Sequence, residues 1–231
     1  MPKVKLLQLT SRNTTKQMRM QQKLKIRLRK RQRLQQMRRP RLLMQQWQQQ
    51  HAPFGPLSVN LTGVQLRQPH LLERIASLLE DNCLPPELLQ LEITESFIMN
   101  QAEEALSLLH QLKGLGIQLA IDDFGTGYSS LSYLKRLPVD TLKIDQSFVR
   151  GLPGDSNDAA IVRAIIALGR SMQLTVIAEG VETKAQEQFL AAEGCEQIQG
   201  FIISRAIHPD AFAQNFLSPR LTVGTAEKAP V

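Results

Sequence analysis

The sequence predicts an α/β fold of the TIM-type (β/α)8 barrel class, incomplete at its N-terminal side. From about Leu57 onward, short β-prone runs alternate with amphipathic helical patterns, which is typical of a parallel sheet with crossover helices. Each run carries polar side chains at or near its C-terminal end, where the active sites of barrels lie. No Gly-rich phosphate loop follows the first run, which disfavours an open doubly wound sheet.

Six runs are predicted to be strands, whereas a closed barrel has eight. They are LSVNL (57–61), LQLEIT (89–94), QLAIDDF (118–124), TLKID (141–145), LTVIAE (174–179) and QIQGF (197–201). Apolar residues at helical spacing predict helices over 101–113, over 158–172 and around 71–79. Gly114 and Gly116 mark the end of the first of these helices.

The charge of the chain is divided between two segments. Residues 1–50 contain 15 Lys and Arg and no acidic residue, although the whole chain has a net charge of only +7. The remaining 13 basic residues accompany all 21 acidic ones, a net charge of −8. We therefore predict a basic low-complexity arm over 1–46, a barrel domain over 47–218 and a C-terminal tail over 219–231.

The arm has two interpretations from its residues alone. It is either a solvated, disordered or partly helical tail, because so many like charges prevent it from folding by itself, or a segment that contacts nucleic acid or an anionic membrane. Trp47 is the only aromatic residue before position 51, which weakens the nucleic-acid interpretation.

Several classes of protein are disfavoured by the sequence. Cys83 and Cys195 stand alone, and the four histidines (51, 70, 110 and 208) are scattered, so neither a disulfide framework nor a zinc site is expected. No run approaches the ~20 apolar residues of a membrane span, and no signal-peptide pattern follows the basic N-terminus. We expect a cytoplasmic protein.

Polar side chains near the strand ends form the candidate site. Taken singly, a strand-end Asp or Asn is typical of a helix cap or turn, and a single lysine is typical of an ion pair. Six successive strands with such groups at the same end indicate a shared site. The candidates are Asn60, Glu92, Glu95, Asp122, Asp123, Lys143, Asp145, Glu179, Glu182 and Gln199.

The carboxylates in this set predict a metal site, because they would repel one another unless hard cations lay between them. Oxygen ligands favour Mg²⁺, Mn²⁺ or Ca²⁺ over zinc. The adjacent Asp122 and Asp123 can divide between two metals about 3.5–4 Å apart, the arrangement used for phosphoester hydrolysis. The turn GTG (125–127) then predicts a mobile loop beside the site.

The chain resembles the EAL domain family, from about Trp47 to Phe216. The resemblance is carried by the motifs VNLT (59–62), LEITES (91–96), IDDFGTGYSSLSYLKRLPVDTLKIDQSFV (121–149), VIAEGVET (176–183) and QGF (199–201). It implies a (β/α)8 barrel with two divalent metals, Mg²⁺ or Mn²⁺. It also implies hydrolysis of one phosphodiester bond of cyclic di-GMP by metal-activated water, with linear pGpG as the product.

The resemblance also implies a role for each matching residue. The metal ligands would be Asn60, Glu92, Asp122, Asp123 and Glu179. Lys143 would support the attacking water and the phosphate, and Gln199 would help to order that water. Glu95 would hold the DDFGTG loop (122–127), through which family members also form homodimers, and Glu182 would be an acid behind the ligands.

One departure from the family pattern lies at the N-terminal side. The Glu-Ala-Leu signature and the arginine that follows it are absent, so one metal ligand, a phosphate-binding arginine and about two strands would be missing. A third interpretation of the arm is therefore that truncation, or a reading-frame change near Met44, replaced the original N-terminal part. We expect a phosphodiesterase with impaired activity; the alternative is a non-catalytic cyclic di-GMP receptor or a protein-interaction module.

Overall fold

The computed structural model describes residues 8–10, 22–26, 55–100, 102–127, 131–207, 209–212 and 215. The strands of the barrel wall are β3 (Leu57–Leu61), β4 (Leu89–Thr94), β5 (Gln118–Phe124), β6 (Thr141–Ile144), β7 (Thr175–Glu179) and β8 (Gln197–Gln199). Adjacent strands in this series pair in parallel. They are buried along almost their whole length, because one face fills the barrel and the other packs against helices. All six predicted strands are therefore present, within two residues of their expected ends.

Helices cover the outside of this wall. The described helices are α1 (Gly63–Leu66), α2 (Leu71–Asp81), α3 (Glu95–Asn100), α4 (Ala102–Gly114), α5 (Leu131–Leu134), α6 (Gln146–Arg150), α7 (Ser156–Ser171), α8 (Lys184–Ala192) and α9 (Pro209–Phe212). The longer ones bury one apolar stripe each; in α2 the stripe consists of Leu71, Ile75 and Leu79. α2, α4 and α7 correspond to the three helices that the apolar spacing predicts.

Two short strands supply the N-terminal side of the barrel. β1 (Gln8–Thr10) pairs antiparallel with both β2 (Gln22–Ile26) and β8, and β2 pairs in parallel with β3. Within the described residues, eight strands therefore form a closed ring. The predicted barrel class is confirmed. The six strands from β3 onward alternate with helices, as expected of the part of the barrel that the sequence predicts to be intact.

These two short strands lie where the prediction expects about two barrel strands to be missing. Without β1 and β2, strands β3 and β8 would each expose a row of unpaired backbone groups. Backbone pairing depends little on side-chain identity, so a segment rich in Gln, Lys and Arg can still occupy both positions. The two strands lie within the predicted arm of residues 1–46. Any helical part of that arm, and the tail over 219–231, lie outside the described residues.

The barrel interior contains a polar layer among its apolar residues. The Ser58 hydroxyl donates a hydrogen bond to Gln90 Oε1 (3.0 Å), and Gln90 Nε2 donates to Thr141 Oγ1 (3.1 Å). All three side chains are buried. They precede Asn60, Glu92 and Lys143 by two positions, and side chains two apart on a strand share a face. The barrel is therefore polar directly beneath the candidate site.

No helix in the described part of the chain is both long and apolar enough to cross a membrane.

The two cysteines provide a test of the packing between β7 and β8. Cys195 is buried, its Sγ lies 3.3 Å from the carbonyl oxygen of Gln197, and burial raises the pKa of its thiol to about 11. Cys83 is exposed. We expect Ellman's reagent at about pH 8 to modify one thiol rapidly in the folded chain and the second only after denaturation. Cys83→Ser should abolish the rapid phase; its persistence in that variant would mean that the wall opens at β7 and β8.

Candidate metal centre

The strand register brings the predicted site residues to one end of the barrel. Asn60 lies opposite Glu92 in the β3–β4 pair, and Glu179 lies opposite Gln199 in the β7–β8 pair. Residues opposite one another in parallel strands point to the same face of a sheet. Since all these positions are at or near C-terminal strand ends, their side chains meet at the mouth of the barrel.

Lys143 lies at the centre of this group. Its ammonium is fully buried and forms ion pairs with Asp122 Oδ1 and Glu179 Oε1, and it lies 3.2 Å from Glu92 Oε2. Burial by itself would lower the pKa of Lys143, but the charges of Glu92, Glu179 and Asp122 outweigh burial and hold that pKa well above its ordinary value. Lys143 is therefore a charged group that joins three carboxylates from three strands.

Asn60 adds an amide to the same cluster. Its carboxamide faces Oε2 of Glu92 and Oδ2 of Asp122; with Nδ2 turned toward them it donates to both, at 2.5 and 3.3 Å. With Oδ1 turned toward them, the group presents an oxygen among carboxylate oxygens, an orientation that only a cation between them would stabilise. The amide can therefore serve the cluster with or without a cation.

A β-bulge brings the adjacent aspartates to the same side. Ile121 lies opposite Leu142 and Phe124 lies opposite Ile144, so Asp122 and Asp123 together face the single intervening residue of β6. Asp123 adopts a left-handed conformation (φ 57°), which Asp tolerates better than most residues do. In a regular strand the two side chains would point to opposite faces. Here carboxylate oxygens of Asp122, Asp123 and Glu179 all lie within 4.8 Å of one another.

Burial, together with the negative charge of this cluster, raises the pKa of Asp123 to about 6. Burial contributes most, followed by the charges of Asp122, Asp145 and Glu179, while Lys143 acts in the opposite direction. The four carboxylates of the cluster outnumber the one ammonium of Lys143. A cluster of carboxylate and amide oxygens with this excess of negative charge fits hard divalent cations.

Glu95 lies just past β4 and contacts the loop that follows the two aspartates. Its carboxylate is buried, and Oε2 accepts hydrogen bonds from the backbone N–H groups of Gly125 (2.9 Å) and Gly127 (3.3 Å). A Cβ on Gly127 would lie 3.0 Å from Oε1 of Glu95, so the loop packs directly against the carboxylate. This contact supports the proposal that Glu95 holds the DDFGTG loop.

The remaining candidates lie at the edge of the cluster. Gln199 ends β8 opposite Glu179. Asp145 caps α6, where its carboxylate accepts from the Ser147 N–H at 2.8 Å, so the helix-cap interpretation applies to it. Glu182 has an exposed side chain, while its backbone N–H donates to Gln186 at 2.8 Å. The structure therefore joins the five predicted ligands and Lys143 into one cluster and leaves the side chain of Glu182 at the surface.

Two features near the site were not singled out from the sequence. The polar layer of Ser58, Gln90 and Thr141 could have been found from the polar residues at alternate strand positions. Gln186 is buried between α8 and α6 and forms a capping box with Thr183. The spacing Thr-x-x-Gln before an apolar run is the signal for such a box, although it does not reveal the contact with α6.

The chain is a barrel of the (β/α)8 type with a cluster of oxygen atoms suited to divalent cations at its C-terminal mouth. The family model of the EAL domain matches residues 13–206. The chain therefore belongs to the EAL domain family, and the match begins within the predicted arm.

The chain is also similar to individual proteins of known name and structure. The bifunctional diguanylate cyclase/cyclic di-GMP phosphodiesterase MucR of Pseudomonas aeruginosa is 50% identical over 155 residues, which cover 67% of this chain and 22% of MucR. The chain spans about a fifth of the length of the curated relatives it matches. The structure of the PaMucR phosphodiesterase in its c-di-GMP complex matches with a TM-score of 0.76 at 36% identity, over 90% of this chain and 92% of that one.

A further solved structure bears on the metal. Klebsiella pneumoniae BlrP1, in a complex with manganese and cyclic di-GMP, matches with a TM-score of 0.72 at 27% identity, over 87% of this chain and 55% of that one. This structural neighbour therefore binds a divalent metal, and the acidic cluster of this chain lies in the same fold.

Proposed function

We propose that this chain binds cyclic di-GMP at the mouth of the barrel and hydrolyses it to pGpG with two divalent cations, Mg²⁺ or Mn²⁺. The observation that carries the proposal is the convergence of four carboxylates and the Asn60 amide around Lys143. Cations bound there would polarise phosphoryl oxygens and lower the pKa of bound water. The ligands would be Asn60, Glu92, Asp122, Asp123 and Glu179.

The other residues of the site have separate roles in this proposal. The buried ammonium of Lys143 orients three of the carboxylates and offsets negative charge that develops at the phosphate. Gln199, beside Glu179, orders the attacking water. Glu95 holds the loop over 122–127, and Glu182 contributes negative charge at the edge of the site.

The rate should be low because the N-terminal side supplies no carboxylate. β2 lies next to β3, which carries Asn60, and its sequence QKLKI contains no acidic residue. The site therefore lacks one ligand that the family signature would provide, and we expect weaker metal binding and a kcat below about 1 s⁻¹, the low end for enzymes.

Turnover of cyclic di-GMP by the purified chain tests this function. With Mg²⁺ or Mn²⁺ we expect a pGpG peak on chromatography that EDTA abolishes, and Asp122→Asn should lower the rate at least about 100-fold because it removes a ligand charge. Asp155→Asn makes the same chemical change at an exposed helix cap and should leave the rate unchanged. Binding of cyclic di-GMP without turnover, unaffected by EDTA, would contradict the enzyme proposal and favour the receptor.

Some sequence-based predictions concern the surroundings of the site. A homodimer through the loop over 122–127, contact of the basic arm with nucleic acid or an anionic membrane, and a cytoplasmic location stay predictions. The same applies to the domain boundaries at 46/47 and 218/219.

A further inference from the structure

Gln186 makes three hydrogen bonds through a buried side chain. Its Oε1 accepts from the backbone N–H groups of Glu182 (2.8 Å) and Thr183 (3.0 Å), and its Nε2 donates to the carbonyl oxygen of Val149 (3.1 Å). Gln186 as a whole is 6% exposed. One amide therefore joins the loop between β7 and α8 (residues 180–183, the β7–α8 loop) to the last turn of α6.

The β7–α8 loop is fixed at its other end as well. Gly180 (φ 73°) approaches α6 so closely that a Cβ on it would lie 2.7 Å from Cβ of Gln146. Val181 donates its N–H to the carbonyl oxygen of Gln199 (3.0 Å) and accepts from the N–H of Ile202 (3.1 Å). The loop therefore contacts α6 at two points, the last residue of β8 at one, and the segment just after β8 at another.

These contacts connect the strands that carry the site. Glu179 ends β7 immediately before the loop, Gln199 ends β8 beside it, and α6 begins three residues after Lys143. A side chain at a strand end has no following strand residue to hold it, so its position depends on the segment that comes next. For Glu179 the next segment is the β7–α8 loop, which Gln186 holds. Gln186 also ties this loop to α6, the helix that follows Lys143.

We propose that Gln186 is a positioning residue for the metal centre: its amide locks the β7–α8 loop onto α6 and so fixes Glu179 and Gln199 relative to Lys143. The inference rests on the proposed function, because it assigns Gln186 to that same site. Residues behind metal ligands act in this way, and their loss typically lowers metal affinity or activity about 10- to 100-fold.

A purely structural role for Gln186 makes a different prediction. Gln186 also caps α8, since its backbone N–H donates to Thr183 Oγ1 (3.3 Å) while its Oε1 accepts from the Thr183 N–H. Thr183→Ala removes one half of this capping box and leaves the bond to Val149 in place. If Gln186 only caps the helix, Thr183→Ala and Gln186→Met should therefore have the same consequences.

The experiment compares these variants in the full chain. Gln186→Met keeps the length of the side chain and loses all three bonds, Thr183→Ala weakens the cap alone, and Gln188→Met makes the same change on the exposed face of α8. Three quantities are measured well below each melting temperature. They are the Kd for Mn²⁺ by titration, kcat and KM for cyclic di-GMP, and amide hydrogen exchange of the peptide 146–151.

We expect Gln186→Met to raise the Kd for Mn²⁺ and lower kcat by about 10- to 100-fold, with little change in KM, and to speed exchange of 146–151. Thr183→Ala and Gln188→Met should stay within about twofold of the unsubstituted chain. Equal behaviour of Gln186→Met and Thr183→Ala would overturn the inference. If the unsubstituted chain bound no Mn²⁺, the proposed function would fail. Hydrogen exchange of 146–151 would then test the lock between the β7–α8 loop and α6 by itself. Faster exchange in Gln186→Met alone would support that lock, and equal exchange in Gln186→Met and Thr183→Ala would overturn it.

Discussion

Replacing Lys143 with methionine is expected to lower the free energy of unfolding by about 3–5 kcal/mol in metal-free buffer. Methionine has a similar length but no charge, so Glu92, Asp122 and Glu179 would lose the buried ammonium that now pairs with them. A buried carboxylate that loses a counter-charge is destabilised. A loss of this size is a large part of the 5–15 kcal/mol that typically stabilises a domain, and denaturant unfolding in EDTA measures it.

Mn²⁺ should restore part of the stability of Lys143→Met, because cations at the same oxygens replace the lost positive charge and bind only the folded state. The rise in melting temperature with Mn²⁺ should therefore be larger in this variant than in the unsubstituted chain. Lys184→Met, which removes an exposed ion pair with Glu187, is the control and should change stability by less than about 1 kcal/mol. Equal losses in the two variants would contradict a central electrostatic role for Lys143.

Gly200→Ala should be the most damaging change of a small residue at the rim. A Cβ at this position would lie 2.0 Å from the carbonyl oxygen and 2.4 Å from the nitrogen of Val181, both backbone atoms that cannot rotate away. Val181 itself is fully buried. We expect the free energy of unfolding to fall by about 3 kcal/mol, the upper part of the overpacking range. Thermal or denaturant unfolding measures this loss.

Gly200→Ala should also lower turnover at least about 100-fold. It would displace the backbone of Val181 and Gly200, which closely follow Glu179 and Gln199, and a misplacement of about 1 Å in a site can lower the rate by that factor. Gly114→Ala is the matched control. A Cβ there meets no atom within 4 Å at the end of α4, so stability should be unchanged or rise by up to about 1 kcal/mol. A Gly200→Ala protein as stable and active as Gly114→Ala would refute the close approach of Gly200 to Val181.

The closed ring includes two strands from the segment predicted to be a basic arm. The arm has the composition of a segment that cannot form a core by itself. Composition therefore describes how this segment would behave in isolation. Backbone pairing with β3 and β8 is an interaction between segments distant in the sequence, in the case of β1 and β8 more than 180 residues apart. Composition does not register such pairing, because every non-proline residue carries the same backbone donor and acceptor.

The wall and the ligand set could be read from local pattern. The six strands from β3 onward end within two residues of their predicted positions, since the alternation of apolar runs and helical stripes is a local consequence of burial on both faces of a parallel sheet. The rule that parallel strands present their C-terminal ends together then placed Asn60, Glu92, Asp122 and Glu179 at one mouth.

By itself, then, the sequence determined the barrel class, the strands of its wall and the polar residues at its rim, because each depends on neighbouring positions in the chain. The tertiary structure alone decided the closure of the ring, the bulge that turns Asp123 to the side of Asp122, the insertion of Lys143 among three carboxylates, and the reach of Gln186 to Val149. These features depend on which distant segments come into contact, and that is fixed only when the whole chain packs.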